Sequence, residues 1–191
     1  MRVCLKAHRG QLATTDFFTA EVWAAKGLTT HYVLYIIDLA TRRTHPAGFT
    51  TTPDEAFMAQ VARNVTDVVD GFLRGHRYLI CDRDTKFTAR FKRTLKASDV
   101  RTVLTPYRTP NANGYAERFV LSIESECLNR VLLFGESSLR RVVTEYIEHD
   151  NLERPHQGLG NEPLERREPG RGDVVRKERL GGILNSHHRA A

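Results

Sequence analysis

Asp16, Asp82 and Glu117 are the residues of this chain whose types and surroundings suit a shared piece of chemistry. Asp16 stands in Thr-Thr-Asp-Phe-Phe-Thr, Asp82 in Leu-Ile-Cys-Asp-Arg-Asp, and Glu117 in Asn-Ala-Asn-Gly-Tyr-Ala-Glu-Arg-Phe. Carboxylate oxygens are the ligands that Mg²⁺ selects. Two such ions held together can activate an attacking hydroxyl and stabilise the leaving oxygen of a phosphodiester. Taken singly, an aspartate at a strand end is an ordinary turn or cap residue, and a glutamate at a helix start ordinarily complements the macrodipole. The ordered triple with its flanking residues points instead to a metal site acting on a polynucleotide.

Only the fold can bring these residues together, so the elements that carry them matter. Asp16 lies in a β-like run from Leu12 to Val22, and Tyr32 to Leu39 is apolar almost throughout, as expected of a strand buried on both faces. A shorter strand near His45 to Thr50 completes an antiparallel meander. From Asp54 the residues Phe57, Val61, Val65, Val68, Val69 and Phe72 recur at helical spacing, with Thr52 as N-cap and Gly71 or Gly75 near the end. Tyr78 to Cys81 reads as a strand ending at Asp82, Phe87 to Ala97 as a helix, and Val100 to Leu104 as a further strand. Two helices follow, one with the stripe Ala116, Phe119, Val120, Ile123 and Cys127, the other with Leu139, Val142, Val143, Tyr146 and Ile147. The order β-β-β-α-β-α-β-α-α predicts an α/β fold: a ribonuclease-H-like mixed sheet, three antiparallel strands plus parallel strands, flanked by helices.

The 191 residues, 40% hydrophobic, suit one domain over 1–160 followed by a tail over 161–191. In that tail, from Leu164 onward, seven Arg or Lys face four acids. This predicts a basic, loosely structured segment with one short helix near Arg179 to Leu184. Lysine and arginine exceed the acids by 29 to 23, a net charge of +6 that suits contact with a polyanion. Cys4, Cys81 and Cys127 form no C-x-x-C pair, which argues against a disulfide framework and against zinc. No apolar stretch is long enough to span a bilayer, so the expected location is the cytoplasm, on the nucleoid if the source is bacterial.

The flanking residues are specific enough to name a family. The chain resembles the catalytic core of DDE-superfamily transposases and integrases, closest to bacterial insertion-sequence transposases with a retroviral-integrase-type core. Asp16 matches the first-strand aspartate, Asp82 the aspartate after the long helix, and Glu117 the helix glutamate, with 34 residues between the last two. Supporting matches are Tyr35-Ile36-Ile37-Asp38, Asp82-Arg83-x-x-x-Phe87-Thr88, Thr109-Pro110-Asn111-Ala112, Ala116-Glu117-Arg118-Phe119 and Asn151-x-x-Arg154-Pro155-His156-Gln157. Asp38 is expected to close a hairpin turn, and Asp84, where relatives usually have glycine, to face solvent beside Arg83. The resemblance implies metal-dependent DNA cleavage and strand transfer, with Asp16, Asp82 and Glu117 as ligands of two Mg²⁺ or Mn²⁺ ions. It further implies that Lys86, Arg90, Lys92, Arg93, Arg108 and Arg118 hold DNA. His156 is given no catalytic role.

The implied partners are element ends and a target duplex, further copies of the chain, and, as one option, a separate helix-turn-helix subunit. Two departures from the family pattern stand out. Glu124 occupies the place, two helical turns past Glu117, where relatives commonly carry a lysine that meets DNA. The sequence also begins almost at the first catalytic strand, so the helix-turn-helix region that usually precedes this core is expected to be absent, as in a split subunit, a truncated element or a decayed copy. The alternative expectation is therefore an inactive remnant that only binds DNA or assembles with partners.

Overall fold

The computed structural model describes residues 9–105, 114–156, 163–164 and 172–189. Strands β1 (Leu12–Ala24), β2 (Gly27–Asp38), β3 (Thr44–Thr50), β4 (Tyr78–Cys81) and β5 (Arg101–Leu104) form one sheet in the order β3-β2-β1-β4-β5. The two-residue connection from β1 to β2 can only join antiparallel neighbours, and β2 pairs antiparallel with β3. β1 pairs parallel with β4, and β4 parallel with β5. Parallel neighbours need crossovers, which helix α1 (Glu55–Val65) and helix α2 (Ala89–Ala97) provide. The mixed sheet is the one expected from the sequence.

Successive strand residues point to opposite faces, and the two faces of this sheet have different partners. Ala13, Leu34, Ile36, Leu79 and Cys81 pack with Met58, Val61 and Val65 of α1 and with Phe91 and Leu95 of α2 in the main core. Gly48 on β3 lets α1 approach: a Cβ there would stand 2.7 Å from Phe57 Cζ and 2.9 Å from Val61 Cγ2. The opposite face carries Leu12, Thr14, Asp16 and Phe18 of β1 and Tyr35 of β2, and the first turns of helix α3 (Gly114–Glu126) lie over it.

Helix α1 is shorter than the apolar spacing predicts. It is capped by Asp54, which accepts a hydrogen bond from Phe57 N at 2.8 Å, rather than by Thr52, and it ends at Val65. Beyond it, Asp67 accepts from the amides of Val69 and Asp70, a local turn that competes with helix. Val68 and Val69 are consequently 82% and 75% exposed although they hold helical spacing. Helix α2 begins at its cap Thr88, which accepts from Phe91 N.

The described chain divides into two compact units: one takes the chain up to Glu21 and Thr29–Phe119, the other Val22–Leu28 and the chain from Val120. This differs from the boundary at 160, because the tip of the β1–β2 hairpin contacts the second unit's own residues. Trp23 N donates to Leu133 O at 2.8 Å. The second unit contains helix α4 (Gly135–Leu152), whose buried stripe includes Leu139, Val142, Val143, Tyr146 and Ile147 as predicted.

The second unit also corrects the expectation of a loose tail. Val174–Arg179 (β6) and Leu184–Arg189 (β7) pair antiparallel, joined by a 3₁₀ turn at Leu180–Gly182 instead of a helix. Gly181 and Gly182 hold positive φ in that turn, at 67° and 89°, a conformation glycine adopts without steric cost. Leu184 and Ser186 are buried while Asn185 and His187 are exposed, the alternation that makes a strand. No described helix is long and apolar enough to cross a membrane.

Candidate functional site

The strands that lead to the two aspartates are neighbours in the sheet. β1 and β4 align Leu12 with Tyr78, Ala13 with Leu79 and Thr14 with Ile80. Asp16 lies two residues past Thr14 in β1, and Asp82 is the residue that follows β4. By strand alternation Asp16 belongs to the face that carries Thr14. Each carboxylate is held by its own neighbourhood: Asp16 Oδ1 accepts from Phe17 N at 2.8 Å, and Asp82 Oδ1 accepts from Asp84 N at 3.0 Å.

Helix α3 is fixed over this face by Tyr35. The buried Tyr35 hydroxyl donates to Ala116 O at 3.1 Å, and its ring packs against Phe119 at 4.9 Å between centroids. Phe18 packs on both rings, and Thr15 donates to Tyr35 O at 2.7 Å. Glu117, adjacent to Ala116, is exposed. The carboxyl of Asp16 has its pKa raised above the ordinary value, first by burial and then by the negative charges of Asp82, Asp84 and Glu117, against the opposing bond from Phe17 N. Burial likewise raises the Tyr35 phenol, with Asp16 and Glu117 adding to it. These four acids share one electrostatic neighbourhood.

Among the described residues, no three His, Cys, Asp or Glu side chains are gathered in a geometry that would hold a metal ion. Like-charged carboxylates repel, and two of these are anchored to nearby amides. The donor set nevertheless fits a hard divalent cation: Asp16, Asp82 and Glu117 offer only carboxylate oxygens, and added positive charge would relieve what raises the Asp16 pKa.

Asp84 and Lys86 depart from their expected places. Asp84 is half-buried and paired with the Lys86 ammonium rather than facing solvent. Burial works against its charge, but hydrogen bonds from Lys86 hold the carboxyl below the ordinary range. Lys86 Nζ also lies 5.6 Å from the centroids of both Phe17 and Tyr32, so this cation is engaged within the fold. Arg90, Arg93 and Arg118 are exposed and Lys92 is half-buried. Arg108, with Thr109-Pro110-Asn111-Ala112, lies outside the described residues. Asp38 closes its turn as expected, accepting from the amides of Ala40 and Thr41.

Sequence reasoning cited Tyr35 only as a flanking match, and the signal for more was a tyrosine in an otherwise aliphatic buried strand. The late motif is structural. Arg154 binds Glu126 at 2.6 Å and Asp150 at 3.3 Å, and His156 Nε2 lies 2.8 Å from Asp150 O.

Comparison with known proteins agrees with this layout. Residues 98–163 match the family described as integrase core domain, a segment that includes Glu117 but neither aspartate. The crystal structure of the catalytic core domain of BIV integrase superposes with a TM-score of 0.51 at 15% identity, covering 81% of this chain and 91% of that one. A chain of the simian T-cell lymphotropic virus intasome, solved in complex with PP2A regulatory subunit B56 gamma, gives 0.56 at 10% identity, covering 95% and 67%. The fold is ribonuclease-H-like, of the integrase-core kind. In that fold and in the matched segment the chain is similar to integrase and transposase catalytic cores, as its motifs imply.

Proposed function

We propose that this chain, with its integrase-type core, is a polynucleotidyl transferase that cuts DNA strands and joins them to a target duplex, with Asp16, Asp82 and Glu117 holding one or two Mg²⁺ or Mn²⁺ ions. The observation that supports this reading is the electrostatic neighbourhood that Asp16 shares with Asp82 and Glu117, Asp82 following the strand that pairs parallel with β1 and Glu117 lying beside the Ala116 that Tyr35 holds. Such ions, when bound, supply activation of an attacking hydroxyl and neutralisation of charge at the leaving oxygen.

The protein's own part is placement. Asp16 starts from the backbone of β1 and Asp82 from the residue that follows β4, whereas Glu117 is exposed and adjusts through its side chain. Tyr35 is a positioning residue that holds the start of α3. The turn after β4 orients Asp82 through the Asp84 amide, while Lys86 balances the charge of Asp84. Arg118, exposed beside Glu117, is available to a phosphate. The substrates are element ends and a target duplex, and the acting form is an assembly of several copies, on the nucleoid if the source is bacterial.

The test is cleavage of labelled duplexes, made from the DNA that flanks the coding sequence, in Mg²⁺ and in Mn²⁺. Asp82→Asn should reduce cutting about a thousandfold, some 4 kcal/mol of barrier, with an unchanged circular dichroism spectrum. Cutting at the wild-type rate in that variant would refute the ligand role. Joining of the cut strand to a second duplex separates a transferase from a plain nuclease. The second reading, an inactive remnant that binds DNA, is favoured by Glu124, which is half-buried on α3. Binding by a wild-type protein inert with both metals would select it.

A further inference from the structure

Lys92 and Arg93, expected to hold DNA along their helix, share a surface of their own. Together with Lys96, Arg101 and Thr102 they line a groove of about 220 Å³ between α2 and β5, the edge strand of the sheet. α2 packs into the main core through Phe91 and Leu95, on the face of the sheet opposite to Asp16. Arg101 pairs in register with Tyr78 at the start of β4, whereas Asp82 follows its end. Four residue steps of a strand separate these positions along the sheet, about 13 Å. The groove is therefore displaced from the acids in both directions.

The lining has four cations and no carboxylate. None of the four is paired with an acid among the described residues. Four like charges beside one another cost free energy unless an anion meets them. Arg93 and Arg101 offer planar guanidinium donors that suit phosphate, Lys92 and Lys96 offer point charges, and Thr102 offers a hydroxyl. Arg101 also borders a cleft of about 1020 Å³ at the start of β4, where Arg74 and Arg77 stand with Asp67 and Asp99. An anionic chain longer than the groove thus has a partly basic path beyond it.

We propose that the α2–β5 groove is a second phosphate-backbone site, which takes duplex DNA without reading its sequence, apart from the acidic site. A single strand is disfavoured because no lining residue is aromatic and unstacked bases need such platforms. Helix α2 has nine residues, about 13 Å of length. That spans roughly four phosphates of one strand at 3.4 Å each.

The experiment is duplex binding across a salt series in chelator, with no divalent metal, so that the acidic site's chemistry does not enter. The proteins are the wild type, a quadruple variant (Lys92→Gln, Arg93→Gln, Lys96→Gln and Arg101→Gln), and a charge-keeping double variant (Arg93→Lys and Arg101→Lys). The quadruple variant should bind at least about tenfold more weakly, and its dependence of log K on log salt should be shallower by about 3.6, four contacts at about 0.9 each. The charge-keeping variant should keep the wild-type slope. A folded quadruple variant with unchanged affinity and slope overturns the proposal, as does a loss of affinity without a change of slope. Single-stranded DNA competing as well as duplex overturns the choice of occupant. A wild-type protein that cuts nothing, yet loses the salt slope on substitution, would defeat the transferase reading and leave this site standing.

Discussion

Asp16 in the first unit and Glu153 in the second are both carboxylates largely withdrawn from water, and the protein treats their charge in opposite ways. Around Asp16 stand Asp82, Asp84 and Glu117, and burial with these neighbours raises its pKa. Around Glu153, whose side chain is only 5% exposed, stand cations and donors. Lys177 Nζ reaches it at 2.6 Å, an Arg179 guanidinium nitrogen at 2.9 Å, Ser186 Oγ at 3.1 Å and His149 Nδ1 at 3.2 Å. Burial alone would raise the Glu153 pKa, but the bonds from Arg179, Lys177 and His149 drive it far below the ordinary range. A satisfied buried charge specifies structure: Glu153 fastens the β6–β7 hairpin to the end of α4. Crowded like charges do the reverse. They cost the fold stability, and on the proposed reading a bound cation would offset that cost.

The contrast breaks first at Glu153. Glu153→Gln leaves Arg179, itself only 12% exposed, with Glu148 alone as counter-charge. It should cost about 2–4 kcal/mol, below the roughly 3–5 kcal/mol of an uncompensated buried charge because that partner remains. A thermal melt measures the loss, and hydrogen exchange should place it at residues 174–189. A neutral outcome there would mean that the hairpin holds without its ion pairs.

Asp16→Asn should do the opposite in metal-free buffer. It keeps the oxygen that accepts from Phe17 N while removing one of the crowded charges, so Tm should rise by about 2–4 °C, the shift that about 1 kcal/mol gives in a chain of this size. A fall in Tm would show that the acids are not in electrostatic strain.

Acid should separate the two sites in one sample. The folded pKa of Asp16 lies above the ordinary 3.8, so the folded state loses stability as pH rises from about that value through the raised one, and regains it on acidification. Glu153 is depressed from 4.5, so its contribution is complete above that value and is lost as pH falls below it. Exchange measured between about pH 6 and pH 3, corrected for intrinsic rates, should show the hairpin loosening while β1 does not. Divalent affinity should climb with pH through the raised Asp16 value, since a cation competes with the proton.

The smallest effect is expected at Glu124. Glu124→Lys adds one candidate phosphate contact, so the salt dependence of DNA binding should steepen by about 0.9. An unchanged slope would show that this position does not meet DNA.

What the sequence made legible follows from what is local. Periodicity gave β2 as a strand buried on both faces and α4 as an amphipathic helix, because both signals sit in consecutive residues. It overran α1 at Val68 and Val69, where the Asp67 side chain turns the backbone and outcompetes apolar spacing. The three acids stand out as candidates because residue type, order and flanking residues all agree. The Glu153 cluster does not, because its partners Lys177, Arg179 and Ser186 lie 24 to 33 residues away in the chain and nothing near Glu153 announces them. The same holds for the tip of the β1–β2 hairpin, whose assignment to the second unit rests on Trp23 meeting Leu133. Lys86 looked like a free cation in a basic stretch until the rings of Phe17 and Tyr32, remote in sequence, were seen beneath it.

The bond from Tyr35 to Ala116 divides the labour of adjustment at Glu117. The backbone of α3 is tethered one residue away by a buried phenol that has no water to replace its partner, so small creeping shifts of the helix start are penalised and only full release of the tether would move it. The Glu117 side chain, exposed and built on three rotatable bonds, has no such restraint. Coarse position is locked and fine position is free. A carboxylate mounted in this way can follow a ligand by rotamer changes alone, on the picosecond to nanosecond scale of exposed side chains, without disturbing the strands that carry Asp16 and Asp82.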